Sequence, residues 1–219
     1  MDEHGHTRAT ATLAKAAAGD PEAQWSANLQ HASINGTAAA REGLRRIPIE
    51  PANVRIMCNV PRSLDLVAPV LRDVLRELAF GRARWPLLLI GDVGVGKTRA
   101  ALCLADMSRT AAYTTVDRLC DRVMASTPDG IKALWEKLGR NDLAILDEIG
   151  QRDKVTDLAL CAIQRHLDVR EACAGRVGIY ITNVATDGLS ELYGDRIMSR
   201  LLAGTVFTLD GPDRRAQHE

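Results

Sequence analysis

The chain has few aromatic residues and no net charge. Aromatic residues make up 4% of its 219 residues, whereas apolar residues make up 46%, so alanine, leucine, valine and isoleucine have to fill the core. Lysine plus arginine and aspartate plus glutamate are balanced at 28 each. This balance excludes a global basic field for nucleic acid, so any such contact has to come from a local patch.

The sequence also lacks a membrane segment and a paired-cysteine pattern. No apolar run reaches the roughly 18 residues of a membrane helix, and no signal-peptide pattern is present. The five cysteines are odd in number and include no CxxC pair, which indicates free thiols in a reducing compartment. We therefore expect a cytoplasmic protein with no membrane contact.

The length fits one α/β domain with an appendage. Residues 1–60 are rich in alanine and polar residues, which predicts a small N-terminal region that is flexible or mostly helical. Residues 61–219 are predicted to form the main domain, beginning with a helix over 63–80 that Ser63 caps. Pro69 lies inside that pattern, so the helix either starts near Leu66 or bends at the proline.

From residue 86 onward, apolar strands and amphipathic helices alternate. The strands are predicted at 87–91, 111–115, 143–147, 177–182 and 205–209. The helices are predicted at 97–109, 116–126, 131–139, 155–173 and 188–202. This alternation predicts an α/β fold with a five-stranded parallel sheet sandwiched by helices.

The residues between the first strand and its helix read GDVGVGKT, from Gly91 to Thr98. This is the phosphate-binding loop pattern in its proper context, which disfavours a chance match in a Gly-rich turn. Lys97 should reach the β- and γ-phosphates of a nucleoside triphosphate, and the Thr98 hydroxyl should hold Mg²⁺. The predicted nucleotide-binding residues are Gly91, Val93, Gly94, Val95, Gly96, Lys97, Thr98 and Arg99.

Polar side chains follow two further strands. Asp147 and Glu148 end the apolar run 143–146, and Asn183 ends the run 177–182; ligands bind at such carboxyl ends in open parallel sheets. We expect Asp147 to hold Mg²⁺ through water, Glu148 to polarise the attacking water and Asn183 to orient it. The alternatives are a solvated acidic turn and, for Asn183, a simple turn residue.

Two arginines share one face of the last predicted helix. Arg196 and Arg200 are four residues apart. One use of such a pair is an arginine finger directed at the γ-phosphate of a neighbouring subunit. The alternative is two surface arginines paired with Asp195 or Glu191.

These four elements, in this order, resemble those of the AAA+ ATPases. The segments 142–150, 182–183 and 192–201 are similar to the acidic motif, the sensor strand end and the arginine-finger helix of the DnaC-type replicative helicase loaders. The resemblance runs from about Leu87 to Arg215. It implies an AAA+ P-loop NTPase core that has no C-terminal lid domain.

The resemblance also implies partners and a mechanism. ATP with Mg²⁺ would lie between protomers of a self-associating spiral, with Arg200 acting in trans and Arg196 supporting it. The spiral would assemble on a hexameric replicative helicase and help to place it on single-stranded DNA. The N-terminal region would dock on the partner, and slow, DNA-stimulated hydrolysis would trigger release.

Two basic pairs are candidates for the DNA contact. Arg118 and Arg122 share a helix face, and Arg152 and Lys154 follow the acidic motif. Phosphate contacts from such side chains are the minimum that single-stranded DNA requires. The interleaved aspartates Asp117, Asp121 and Asp153 leave open an exposed basic face with no DNA role.

Three other functions fit parts of the pattern. A transposition-regulating ATPase of the IstB type shares the core but binds double-stranded DNA and a transposase. A small-molecule kinase shares the phosphate loop but needs a mobile lid over the phosphates. A nucleotide-gated scaffold would bind ATP and barely hydrolyse it, which the presence of Glu148 argues against.

Overall fold

The computed structural model describes residues 67–106, 108–151, 155–173 and 175–213. The strands are β1 (Leu87–Ile90), β2 (Ala111–Thr115), β3 (Leu143–Ile149), β4 (Val177–Thr182) and β5 (Thr205–Thr208). The helices are α1 (Pro69–Ala79), α2 (Lys97–Asp106), α3 (Val116–Met124), α4 (Pro128–Arg140), α5 (Asp157–Ala172) and α6 (Thr186–Leu201). The predicted N-terminal region and its boundary at residue 60 lie outside the described residues.

All five strands run parallel, in the order β2-β3-β4-β1-β5. Strand β4 therefore lies between β1, which leads into the phosphate loop, and β3, which carries the acidic pair. The register places Ile90 beside Thr182 and Thr115 beside Asp147. The carboxyl ends of the four strands β1 to β4 consequently meet at one edge of the sheet.

Helices cover both faces of the sheet, as the sequence predicted. Helices α1 and α2 pack with Leu87, Leu89 and other strand residues into one buried cluster. Helices α3 to α6 pack with Leu88 and Tyr180 into a second cluster on the opposite face. Successive strand residues point to opposite faces, and helices cover both faces. Every residue of β1 and β4 is therefore buried. In the described part of the chain, no helix is long and apolar enough to cross a membrane.

Helix α1, the first among the described residues, starts later than the predicted residue 63. Val67 and Ala68 are not helical, and Pro69 is the first residue of α1. A proline disfavours helix at the residue before it but fits the first helical position, where its missing N–H is not needed. The helix therefore neither bends at Pro69 nor starts near Leu66, and Ser63 lies outside the described residues.

Helices α4 and α6 also differ from prediction. Helix α4 begins at Pro128 rather than 131, because Thr127 caps it by accepting a hydrogen bond from the Gly130 N–H. Helix α6 runs from 186 but is broken at Gly194, whose φ of 70° and ψ of 169° are not helical. The apolar spacing alone did not reveal this break.

A buried arginine fastens the amino-terminal ends of β3 and β4 to two helices. Arg170 in α5 is 4% exposed. Its guanidinium donates to the carbonyls of Leu138 (3.0 Å), Asn141 (2.8 Å), Asp142 (2.9 Å) and Val177 (2.5 Å). These acceptors belong to the end of α4 and to the starts of the two central strands. One side chain thus fixes the relative position of three elements.

We expect Arg170→Met to destabilise the domain by roughly 3 kcal/mol or more, because it leaves several buried carbonyls without their donor. Urea unfolding followed by circular dichroism measures this. Arg165→Met on the exposed face of the same helix is the matched control and should change stability by less than about 0.5 kcal/mol. Equal effects of the two substitutions would contradict the role of Arg170.

His166, one helical turn before Arg170, is also fully buried. Its ring meets the Tyr180 ring edge-on, with centroids 5.8 Å apart. Neither ring nitrogen has a hydrogen-bond partner among the described residues. Burial, with a contribution from the Arg170 charge, lowers the pKa of His166 from 6.5 to about 3. The folded protein therefore holds a neutral imidazole at any ordinary pH.

This histidine should make the fold sensitive to mild acid. Below pH 6.5 the unfolded chain protonates His166, whereas the native ring stays neutral down to about pH 3. Because the unfolded state binds the extra proton, stability is lost as the pH falls through that window. Between pH 7 and 5.5 the loss should be on the order of 1 kcal/mol. His166→Leu should remove this loss in pH-dependent urea unfolding, and an unchanged slope would refute the assignment.

Candidate nucleotide site

The phosphate loop lies at the carboxyl edge of the sheet, between Ile90 of β1 and Lys97 of α2. Gly94 and Gly96 have φ values of 82° and 105°, which residues other than glycine rarely adopt. Such backbone directs successive N–H groups into a concave anion site, to which the amino end of a helix adds positive charge. Lys97 is buried and crosses the loop, donating to the carbonyls of Gly91 (2.6 Å) and Asp92 (2.7 Å).

The phosphate loop and the acidic motif are joined by a direct hydrogen bond. Thr98 Oγ1 donates to Asp147 Oδ2 over 2.7 Å. Tyr113 of β2 donates from its hydroxyl to the same oxygen over 3.0 Å. Asp147 is 4% exposed. The hydrogen bond brings together the Thr98 hydroxyl and the Asp147 carboxylate, which were predicted to share one metal ion. Tyr113 was not predicted, because a tyrosine in a short strand is more simply interpreted as packing.

Glu148 adopts an unusual backbone conformation next to this cluster. Its φ is 64°, and no other described residue except glycines has a positive φ. The pairing of β3 with β4 shifts register between Leu146 and Ile149, which makes a local bulge. Such a conformation costs roughly 1 kcal/mol or more, and the Glu148 N–H offsets part of it by donating to Asp147 Oδ1 (2.8 Å). The bulge turns the half-buried Glu148 out of the ladder.

Two hydroxyls hold the turn that follows Glu148. Thr182 Oγ1 donates to the Ile149 carbonyl over 2.7 Å, and the Gly150 N–H donates to the Tyr193 hydroxyl over 2.9 Å. Burial is the main cause that raises the pKa of Tyr193, so the phenol stays protonated near neutral pH. Neither hydroxyl was predicted as a functional group. The turn is therefore fastened to β4 and α6 as well as to β3.

Asn183 is exposed at the end of β4. It directly follows Thr182, which pairs with Ile90 at the entrance of the phosphate loop. The sheet thus brings Asn183 to the same edge as the loop and the acidic pair, as its position after a buried strand predicted. Thr182 also accepts a hydrogen bond from the Val184 N–H (3.0 Å), so Asn183 lies within a local turn.

Residues after β5 pack against the phosphate loop. Leu209 donates its N–H to the Ile90 carbonyl (2.8 Å). A Cβ on Gly91 would lie 2.2 Å from the Leu209 carbonyl oxygen, and one on Gly94 would lie 1.8 Å from Asp213 Oδ1. Backbone atoms therefore require glycine at Gly91 by space as well as by backbone angle, whereas at Gly94 the positive φ is the reason, since the exposed Asp213 side chain can move. The contact of Asp213 with the loop was not predicted from the sequence.

The other loop residues differ in exposure. Val95 is buried and anchors the loop in the core beneath the sheet edge, whereas Val93 is exposed. Arg99, predicted as a nucleotide contact, has a buried Nε with no hydrogen-bond partner among the described residues.

Arg196 and Arg200 follow the break at Gly194. Arg196 is exposed. Arg200 is 21% exposed and forms ion pairs with Asp168 and, over 3.4 Å, with Glu171 of α5. The alternative pairing with Asp195 or Glu191 is therefore wrong for Arg200, because the helix packs this side chain against α5. Within the described residues, neither arginine bonds to the phosphate loop of its own chain.

The candidate DNA-contacting residues are only partly described. Arg118 and Arg122 are both exposed on α3, four residues apart. Asp117 and Asp121 are exposed on the same helix, so the charge of this surface is mixed. Arg152 and Lys154 lie outside the described residues. Among the described residues, no group of three or more His, Cys, Asp or Glu side chains is arranged to hold a metal ion.

The parallel sheet, the phosphate loop at its carboxyl edge and the acidic pair on a nearby strand define an α/β P-loop fold. No protein-family model matches the sequence, and no curated protein does. Among solved structures, the fold is similar to that of the replication initiator DnaA bound to AMPPCP and single-stranded DNA. That match has a TM-score of 0.56 at 17% identity and covers 66% of this chain but only 46% of that one.

Two further structures share the fold. Domain III of the Thermotoga maritima replication initiation protein DnaA matches with a TM-score of 0.53 at 20% identity, covering 72% of each chain. DnaI matches with a TM-score of 0.52 at 19% identity, covering 66% of this chain and 80% of that one. These likenesses confirm the predicted α/β fold with a five-stranded parallel sheet.

We expect Lys97→Met to weaken the binding of a fluorescent ATP analogue by about 10- to 100-fold, because a charge-assisted hydrogen bond contributes roughly 1.5–3 kcal/mol. Fluorescence titration measures the dissociation constant. The matched control is Lys137→Met, an exposed lysine on α4, which should leave it unchanged. If both variants bind like the unaltered protein, the loop does not hold the phosphates through Lys97.

Proposed function

We propose that the protein is an ATP-dependent loader for a hexameric replicative helicase. ATP binds at the phosphate loop, and its γ-phosphate faces a second copy of the chain in a spiral. The spiral assembles on the helicase and helps to place it on single-stranded DNA. Hydrolysis of ATP at the protomer interfaces then triggers release.

The observation that carries the ATPase part is the convergence of Thr98, Tyr113 and Asp147 beside the phosphate loop. In this proposal, Lys97 exchanges its backbone carbonyl partners for β- and γ-phosphate oxygens. Glu148 polarises the attacking water and accepts its proton, and Asn183 orients that water. Phosphoryl transfer needs such positioning and charge stabilisation more than covalent chemistry from the protein.

The same cluster fits a magnesium ion. Thr98 Oγ1 and Asp147 Oδ2 lie 2.7 Å apart, and hydroxyl and carboxylate oxygens are ligands that Mg²⁺ prefers. Thr98 would hold the ion directly and Asp147 through water. When bound, Mg²⁺ neutralises charge on the β- and γ-phosphates. Tyr113 would keep the carboxylate of Asp147 oriented.

The proposal of a shared site rests on the arginines. Neither Arg196 nor Arg200 bonds to the phosphate loop of its own chain within the described residues, and both follow a break in α6. We assign Arg200 as the group that reaches the γ-phosphate of the neighbouring protomer and Arg196 as its support. Two carboxylates, Asp168 and Glu171, hold Arg200 in the single chain. Assembly would exchange these partners for the more highly charged phosphate.

The helicase and DNA part rests on the motifs and on the fold. The combination Asp-Glu-Ile-Gly at 147–150 with Gly-Asp-Arg-x-x-x-Arg-Leu at 194–201 resembles that of the loaders. The structural neighbours include DnaI and a DnaA solved with single-stranded DNA. We place the DNA contact on Arg118 and Arg122 or on Arg152 and Lys154, and the partner-docking segment within residues 1–60. The ATPase domain occupies residues 61–219.

A mixing experiment tests the shared site. Glu148→Gln and Arg200→Ala should each lower ATP turnover by about 100-fold or more. An equimolar mixture should recover activity, because roughly a quarter of head-to-tail interfaces then pair an intact Glu148 with an intact Arg200. If the mixture is no faster than the separate variants, ATP is not hydrolysed between protomers.

A binding experiment tests the partner. The full chain should form a complex with the replicative helicase of its own host in ATP, and the complex should dissociate when hydrolysis proceeds on single-stranded DNA. Size-exclusion chromatography with mass determination measures this, and Glu148→Gln should prolong the complex. No complex in any nucleotide state would refute the loader function. Preferential binding to double-stranded DNA and a transposase would instead support the IstB-type alternative.

A further inference from the structure

The turn at Glu148–Gly150 lies where the hydrogen-bonded pairing of β3 with β4 is interrupted. Glu148 has a φ of 64°, and the ladder with β4 is interrupted between Leu146 and Ile149. The direction of the Glu148 side chain therefore depends on what holds the next two residues. A carboxylate that positions water loses efficiency when it moves by a fraction of an ångström.

Helix α6 holds this turn at two points of one face. The Gly150 N–H donates to the Tyr193 hydroxyl over 2.9 Å. A Cβ on Gly150 would come within 3.1 Å of Leu189 Cδ2, so Leu189, one helical turn before Tyr193, packs directly against the turn. Both side chains are buried. The turn after the acidic pair is thus seated on the first segment of α6.

The same helix changes direction directly after Tyr193. Gly194 has a φ of 70° and a ψ of 169°, so Tyr193 is the last residue before the break. Arg196 and Arg200 lie on the segment beyond it. Tyr193, which binds the turn after Glu148, is therefore also the last residue of the first segment of α6. The segment that carries the two arginines begins directly after it.

We infer that Tyr193 is a positioning residue for ATP hydrolysis that links the two halves of the shared site. Its hydroxyl fixes the turn that aims Glu148 in its own protomer. Because Tyr193 directly precedes the break in α6, the position of that turn is coupled to the position of the following segment. That segment carries Arg196 and Arg200, which would contact the next protomer. A displacement of Glu148 by the γ-phosphate would thereby change the presentation of the arginines. This inference rests on the proposed function.

The first test is Tyr193→Phe, which keeps the ring and removes the hydroxyl. We expect kcat for ATP to fall by about fivefold or more while KM stays within about twofold, because positioning acts on the reaction and not on nucleotide binding. Tyr180→Phe is the matched control, since Tyr180 is a buried tyrosine of the same core cluster. A kcat for Tyr193→Phe within fivefold of that for Tyr180→Phe would overturn the inference. A loss shared by both variants reflects packing and also overturns it.

The second test separates the two protomers. In the mixture of Glu148→Gln and Arg200→Ala subunits, the first supplies the arginine and the second supplies the glutamate. Adding Tyr193→Phe to the Arg200→Ala subunit alters only the glutamate side of each active interface, and adding it to the Glu148→Gln subunit alters only the arginine side.

Recovery should fall in both arrangements if Tyr193 serves both halves. A fall on the glutamate side alone would overturn the link to the arginines. Unchanged recovery in both arrangements would overturn the positioning role itself. If the parent mixture does not recover, the proposed shared site has failed, and the comparison of Tyr193→Phe with Tyr180→Phe still decides whether Tyr193 positions Glu148 within one chain.

Discussion

The hydrogen bond from Thr98 to Asp147 is the contact on which the site depends. It joins two residues that are 49 positions apart in the chain and belong to elements separated by a third strand. It forms because parallel pairing of β1, β4 and β3 brings their carboxyl ends to the same edge. A shift of one residue in any of these strands would turn its side chains to the opposite face and separate the phosphate loop from the acidic pair.

That register is fixed from the other end of the strands. Arg170 binds carbonyls at the starts of β3 and β4 and at the end of α4. Four acceptors on one planar guanidinium tolerate little sliding, because each bond has a fixed direction. Asp142, at the start of β3, also pairs with Arg109 and Arg176. The amino ends of the central strands are thus held by arginines, and the carboxyl ends are left to carry the chemistry.

The sequence predicted the helices, the strands and the motifs more fully than the side-chain contacts between them. Short apolar runs such as 177–182 have a clear strand pattern, and the phosphate loop has a specific spacing, so both were recognisable. The start of α1 at Pro69 was not predicted, although the first helical turn is where a proline fits. Tyr113, Arg170 and Tyr193 were missed because each acts through a residue far away in the chain. A tyrosine or arginine in an apolar pattern gives no sign of its partner until the fold is known. The break at Gly194 was missed for a related reason, since an isolated glycine in a helical pattern is often tolerated.

The strain at Glu148 shows why these missed residues matter to the site. A regular strand would point the side chain of Glu148 to the face opposite that of Asp147, where it would be buried in the helical layer. The bulge instead takes Glu148 out of the regular strand alternation, at the cost of an unfavourable φ. That cost is tolerable only because Asp147, Thr182 and Tyr193 bind the backbone of residues 148–150. The geometry of the acidic motif therefore depends on two other side chains, Thr182 and Tyr193, as well as on Asp147 itself. Only the two carboxylates leave a recognisable pattern in the sequence.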